Sequence, residues 1–314
     1  MNLLFDLILG ITLVGVCWRI IRTSGNFQAI VLFITFGLLL SLIWTRLKSP
    51  DIAIAEAAVG AGLTGVLLMD ALGVFSQSQE KPAPKLKPGL FIPGLFLAGL
   101  FFCSVFFISQ DIDRLGNLVQ KHLPGSSLEH PITAVLLDFR SYDTWLEMGV
   151  LLAAVLGVLC VSQRQDLERT LLPAPAEPVG RWIIKILLPM MVLISGYLLW
   201  LGAFAPGGAF QAGVVLAAGG VLLWQGGHPS LASLSRTWWK VLLCAGFASF
   251  LVLAKASLFY SDHMLTHPDS KIWILALEYG AALSIAICLI SLVLASPAGH
   301  QTAKQQSPEE DVKP

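Results

Sequence analysis

Charge is what this sequence most lacks. Asp, Glu, Lys and Arg make up 13% of its 314 residues, about half the share of an ordinary soluble domain. The two signs balance to a net charge of zero, so no basic excess points to nucleic acid. The cysteines (Cys17, Cys103, Cys160, Cys244 and Cys288) all fall in apolar runs, and none forms a CxxC pair. That placement argues against a disulfide framework or an iron–sulfur site and reads as small buried hydrophobes. The N-terminus shows no basic stretch and no small-residue cleavage site, so residues 3–20 read as a retained helix, not a signal peptide. His122, His130, His263 and His267 lie in loops without metal-ligand spacing, and no metal site is expected. There is no phosphate loop, nucleophile elbow or dinucleotide glycine fingerprint. No enzyme activity and no cofactor are expected.

What is present is apolar sequence: 55% of residues are hydrophobic. Most of it lies in runs of about 20 residues, the length that crosses a bilayer. The fold class predicted is all-α, a polytopic transmembrane bundle of about nine helices. The spans are placed near 3–20, 27–45, 50–75, 90–108, 145–161, 182–201, 206–224, 238–258 and 272–294. A Pro-rich linker is expected at 77–88, another at 164–179, and a polar tail at 296–314. The stretch from Asp111 to His130 reads as a solvated polar loop. The short apolar run at 132–139 cannot cross and reads as a re-entrant or interfacial piece, which must be buried in protein. Loops holding Arg19, Arg22, Lys81, Lys85, Lys87, Arg164 and Arg169 are richer in positive charge than those holding Arg46, Lys48, Arg114 and Lys121. By the positive-inside rule the N-terminus faces outside and the C-terminus the cytoplasm of a prokaryotic plasma membrane.

The charges that remain inside the runs are the candidates for function. A carboxylate at mid-bilayer costs about 2.5 to 3.5 kcal/mol on translocon scales, so it needs a protein-lined or wet interior. Asp51 falls at a helix start, behind Pro50, where the helix dipole favours an anion. Glu56 lies deeper and is a candidate proton carrier or cation-path residue. In a regular helix it does not share a face with Asp51, but it nearly does with Asp70, fourteen residues on. Gly60 and Gly62 allow close helix approach or a π-bulge. Asp138, Arg140, Asp143 and Glu147 form the densest charge cluster near a membrane boundary, with Asp143 and Glu147 spaced to share a face. Three acids to one base suits a sodium ion or a proton; a solvated boundary with a structural ion pair is the plainer reading. Pro206-Gly207-Gly208 permits a sharp turn or a half-helix end beside an ion path. Glu278 sits in the last span, for function or packing alike.

Three segments carry a resemblance. Ser49-Pro50-Asp51-Ile52-Ala53, Glu56 and Val59-Gly60-Ala61-Gly62-Leu63-Thr64 resemble the three-helix MbhD module, found at the end of the large Mrp antiporter subunit and on its own in membrane-bound hydrogenases. Thr133-Ala134-Val135-Leu136-Leu137-Asp138-Phe139-Arg140, Asp143-Thr144 and Glu147 resemble the next, MbhE-like module of that end. Pro189, Gly202, Pro206-Gly207-Gly208, Phe210-Gln211, Gly213, Glu278 and Gly280 resemble the MnhB-type subunit of the Mrp antiporter. Ala209 and Ala212 stand where MnhB-type proteins usually have glycine. The resemblance implies modules at 1–76, 89–163 and 180–295. It implies a membrane component of a multisubunit Na+/H+ antiporter related to the complex I membrane arm, with other membrane subunits as partners and Na+ and H+ as transported ions. The path residues implied are Asp51, Glu56, Asp70, Asp138, Arg140, Asp143, Glu147 and Glu278. Gly60, Gly62, Pro206, Gly207, Gly208 and Gly213 would serve turns and packing. The antiporter-like half of the large Mrp subunit is missing, so the chain is not expected to pump alone. The rival readings are an accessory module of a hydrogenase-like or inorganic-carbon uptake complex, a scaffold without ion traffic and, last because no internal repeat is seen, a free-standing transporter.

Overall fold

The computed structural model describes residues 3–75, 91–108, 112–161, 178–226, 235–259, 265 and 271–295. The expected linkers at 77–88 and 164–177, the tail from 296, and His263 and His267 lie outside them. The described residues are helical and include no strand. The helices are α1 (Leu3–Arg22), α2 (Asn26–Arg46), α3 (Pro50–Ala55), π1 (Glu56–Leu63), α4 (Thr64–Phe75), α5 (Phe91–Ile108), α6 (Ile112–His122), α7 (Pro131–Ala134), π2 (Val135–Phe139), α8 (Ser141–Val161), α9 (Pro178–Leu201), α10 (Ala209–Gln225), α11 (Arg236–Ser257) and α12 (Lys271–Leu294). Seven helical spans among them are long and apolar enough to cross a membrane, and two shorter apolar helices cover Ile92–Ser104 and Ala209–Trp224. The chain is a multi-pass membrane protein.

Burial separates the helices sharply. The apolar window of α12 is 78% buried, against 6% for α1 and α2. Thus α12 is the axis of the second half, packed by α8, α10 and α11, while α1 and α2 turn most of their apolar surface outward. Large exposed side chains such as Leu4, Ile11, Phe101, Phe102 and Leu193 form the outer surface, which suits lipid or neighbouring subunits.

Between spans the packing uses small residues and hydroxyls, as expected where lipid removes the hydrophobic drive between helices. A Cβ on Gly37 would lie 3.1 Å from the Ala61 nitrogen, and one on Gly213 would lie 2.8 Å from the Ala282 carbonyl. Ser41 donates to the Ala53 carbonyl at 2.6 Å, Ser195 to Ala212 at 2.8 Å and Ser284 to Leu243 at 2.8 Å. Each bond crosses from one helix to another.

The turn from α2 into α3 is a Schellman closure: Ser49 N–H reaches the Trp44 carbonyl at 3.0 Å and Lys48 N–H the Thr45 carbonyl at 3.1 Å. Lys48 fills the left-handed position, with φ of 60°, where glycine is the usual occupant. Pro50 then begins α3 at a position where its missing N–H is harmless.

Three expectations change. Part of the stretch expected as a polar loop is helical: Ile112–His122 forms α6, since Ile112, Leu115, Leu118 and Val119 recur at helical spacing. The span expected from Pro50 is not a uniform α-helix, because Glu56–Leu63 is π-helical. The short run after Pro131 contains a second π segment, Val135–Phe139. Its Thr133, Ala134 and Leu137 are buried in protein.

Candidate functional site

The two π segments flank the same space. It is a cavity of about 530 Å³ bounded by α3, π1, α7, π2, α8, the turn before α10, and α12. Four carboxylates from four segments line it: Asp51, Glu56, Glu147 and Glu278. No lysine or arginine is among its lining residues. Asp51 and Glu278 are 6% and 2% exposed; Glu56 is half-buried, and Glu147 is exposed on the open side.

The π geometry explains how α3 and π1 reach the cavity. Their lining residues are 51, 52, 55, 56, 59 and 60, two stripes that repeat every four residues. A helix of 3.6 residues per turn drifts off such a repeat one way and the wider π turn drifts back, so α3 and π1 together keep both stripes on the cavity. The step from Asp51 to Glu56 precedes the π segment and sets them on different faces, as expected, yet the two stripes bring both to one space. Gly60 lies against the Glu56 carboxylate: a Cβ there would require that flexible side chain to move aside. Gly62 is less constrained, with its Cβ position 3.3 Å from the Ala57 carbonyl. Carbonyls loosened by the π turns find hydroxyls. Thr64 donates to Val59 at 2.8 Å, and Thr144 to Leu136 at 2.7 Å.

The Pro206-Gly207-Gly208 turn closes the opposite wall. Gly208 has φ of 113°, a backbone that suits glycine. Its N–H reaches the Leu198 carbonyl at 2.9 Å, folding the turn onto the end of α9. A Cβ on Gly202 would lie 2.6 Å from Gly208 Cα, and one on Gly207 would meet the Leu198 carbonyl at 2.5 Å. This contact leaves no space for side chains. A Cβ on Gly208 would point at Glu278, 3.6 Å from Oε1. The Gly207 N–H donates to Asp51 Oδ1 at 2.9 Å, and Gln211 Nε2 lies 3.4 Å from the Asp51 carbonyl oxygen. Asp51 thus ties the third span to the start of α10, 156 residues away. Ala209 lines the cavity, and Ala212 is fully buried.

The boundary cluster divides. Glu147 lines the cavity; Asp138, Arg140 and Asp143 do not. Arg140 Nε pairs with Asp143 Oδ2 at 2.9 Å, with the arginine side chain 57% exposed and stacked over Tyr142. Asp143 and Glu147 are one turn apart, but Arg140 draws Asp143 outward. Asp70 belongs to α4, and its side chain is not among those described.

Sequence reasoning missed His130 and Thr133. His130 Nε2 lies 3.6 Å from Asp51 Oδ2, and its Nδ1 lies 3.2 Å from Thr133 Oγ1. Thr133 donates to the Gly202 carbonyl at 2.6 Å. His130 immediately precedes Pro131 at a helix start, but nothing in that dipeptide names a partner seventy-nine residues earlier. Among the described residues no group of three His, Cys, Asp or Glu side chains is close enough to hold a metal ion. The four acids are spread along the walls of the cavity.

Comparison with known proteins follows the same division of the chain. Residues 11–77 match the MbhD family model, which describes the D subunit of MBH, and residues 179–299 match that of a domain related to the MnhB subunit of Na+/H+ antiporter. A chain in the structure of the Mrp complex from Dietzia sp. DQ12-45-1b aligns with a TM-score of 0.72 at 19% identity. The alignment covers 98% of this chain and 35% of that one, so this chain spans about a third of its relative's length. A chain of the membrane-bound sulfane sulfur reductase (MBS), an archaeal respiratory membrane complex, aligns at 16% identity with a TM-score of 0.49, covering 65% of this chain and 97% of that one. No curated protein sequence matches. This chain thus carries an MbhD-type segment followed by an MnhB-related domain, on a fold it shares with a chain of that Mrp complex.

Proposed function

We propose that this chain is a membrane subunit of a multisubunit Na+/H+ antiporter-like complex, and that its four-acid cavity is one section of the proton or sodium route. The observation that carries this reading is the convergence of Asp51, Glu56, Glu147 and Glu278, from four separate segments, on one space that no lysine or arginine lines. Charged groups buried at membrane depth are costly unless paired or wet. A cavity that collects four of one sign, with no lysine or arginine on its walls, favours a mobile cation or exchangeable protons as the balancing charge. Glu278 and Asp51 are the buried acids, Glu56 is half-buried, and Glu147 stands at the exposed margin. Residues 1–76, 89–163 and 180–295 act as three modules in about nine spans, with the N-terminus outside and the C-terminus in the cytoplasm. Asp70 joins the route only through its place in the same span as Glu56, whereas Asp138, Arg140 and Asp143 serve the boundary. The remaining antiporter subunits supply the rest of the machine.

The test is Glu278→Gln in the assembled complex, with Na+/H+ exchange measured in membrane vesicles and assembly checked by pull-down in mild detergent. Loss of exchange at normal assembly supports the route. Full exchange in that variant would return the chain to a scaffold role.

A further inference from the structure

The pair formed by Asp51 and His130 holds a feature that the four-acid cavity alone does not require. Asp51 Oδ1 accepts the Gly207 N–H at 2.9 Å, but Oδ2 is buried with no hydrogen-bond partner. The group facing Oδ2 is His130 Nε2, 3.6 Å away, in a side chain 12% exposed. The protonation of that imidazole follows from its other side. Thr133 has a single hydroxyl proton, and at 2.6 Å from the Gly202 carbonyl, an acceptor only, that proton is spent. Toward His130, Thr133 Oγ1 can therefore only accept, so the Nδ1 at 3.2 Å carries the hydrogen. A neutral imidazole with hydrogen on Nδ1 has a bare lone pair on Nε2. That lone pair would face a carboxylate oxygen that is likewise bare, and two acceptors cannot bond without a proton between them.

We infer that His130 and Asp51 together hold one exchangeable proton, on Nε2 or on Oδ2, and form the port through which protons enter or leave the cavity. This inference rests on the proton-route reading given above. Thr133 and Gly202 fix the tautomer; Gly207 fixes the carboxylate. The proton moves between Nε2 and Oδ2 once the 3.6 Å gap closes to hydrogen-bond distance. Once it passes from Oδ2 to the cavity, an imidazole lone pair and a carboxylate remain, and the pair takes up another proton from water. The other titratable groups facing this space are Glu56 on π1, Glu147 on α8 and Glu278 on α12. Each can receive a proton from Asp51 or return one. Glu129, the chain neighbour of His130, is exposed. Either direction of traffic loads the same two atoms.

Two measurements test the port. The first uses the full chain, unsubstituted, in lipid nanodiscs with ¹⁵N-labelled histidine; the His130 signal is identified by its loss in His130→Gln. The expected neutral form carries its hydrogen on Nδ1, and the protonated form disappears in Asp51→Asn at the pH where the unsubstituted chain shows it. Hydrogen on Nε2 with a bare Nδ1, or a protonated form indifferent to Asp51→Asn, overturns the inference. The second uses the assembled complex: His130→Gln should alter the pH profile of exchange. If Glu278→Gln abolishes exchange while His130→Gln leaves the pH profile unchanged, the cavity stands and the port fails. If Glu278→Gln has no effect, the proton-route reading fails whatever His130 does. Should His130→Gln not assemble, the tautomer in the unsubstituted chain decides.

Discussion

Two acidic regions of this protein differ in what surrounds them. The boundary cluster is dense in sequence: Asp138, Arg140 and Asp143 fall within six residues. It carries its own base, and Arg140 pairs with Asp143 at the exposed edge. The cavity is sparse in sequence, with its four acids scattered from Asp51 to Glu278, and its walls hold no lysine or arginine. Density along the chain therefore marks the region that carries its own arginine, and convergence in space marks the one whose walls hold none. An exposed ion pair is worth little; buried carboxylates with no lysine or arginine beside them are costly to keep charged.

The largest expected contrast is between Glu56→Gln and Asp143→Asn. General acid–base groups contribute about a hundredfold or more to proton-transfer rates, so Glu56→Gln should lower exchange by about that factor at normal assembly. Asp143→Asn should change it less than about twofold, because its partner Arg140 is solvated. Exchange rates in vesicles check both, and equal losses would erase the distinction between the regions. A smaller effect separates two glycines in membrane helices. Gly213→Ala sets a methyl 2.8 Å from the Ala282 carbonyl oxygen and from the Ile285 Cβ, whereas Gly10→Ala meets nothing within 4 Å. Overpacking of this kind costs about 1–3 kcal/mol, so thermal melting in detergent should drop for Gly213→Ala and hold for Gly10→Ala.

Thr133→Val tests the hydroxyl that joins α7 to the turn after α9. It leaves the Gly202 carbonyl and the His130 Nδ1 hydrogen unpaired, at a cost of about 1–3 kcal/mol, read as lowered melting temperature. The smallest effect is Lys48→Gly, far from the cavity. Relief of a left-handed residue is worth about 1 kcal/mol, seen as a small rise in melting temperature. A fall would show that the Lys48 side chain matters more than its backbone.

Much of the fold was legible from sequence because bilayer length and apolar runs are the same signal; α1, α2, α9, α11 and α12 all follow it. The turn at Gly207 and Gly208 was legible from its glycines. The stretch 112–122 was misread because its Asp113, Arg114, Asn117 and Gln120 suggested a solvated loop, although its apolar residues keep helical spacing. The π turns were open from Gly60 and Gly62 alone but invisible at 135–139, where no glycine marks them. The site was half legible. Glu56 stood out as an acid in an apolar run, yet its convergence with Glu278 depends on how distant spans pack. His130 looked like an ordinary loop histidine because its meaning comes from Asp51, Thr133 and Gly202, none of which local spacing could supply.

The most direct test compares two multiple variants of the whole complex in proteoliposomes under an imposed sodium gradient, with proton movement followed by an internal pH dye. One replaces the cavity acids together (Asp51→Asn, Glu56→Gln, Glu147→Gln, Glu278→Gln), and the other neutralises the boundary (Asp138→Asn, Arg140→Gln, Asp143→Asn). The expected result is no sodium-driven proton flux in the first and retained flux in the second. Flux through the first, with the complex intact, would contradict the claim that ions pass beside these acids.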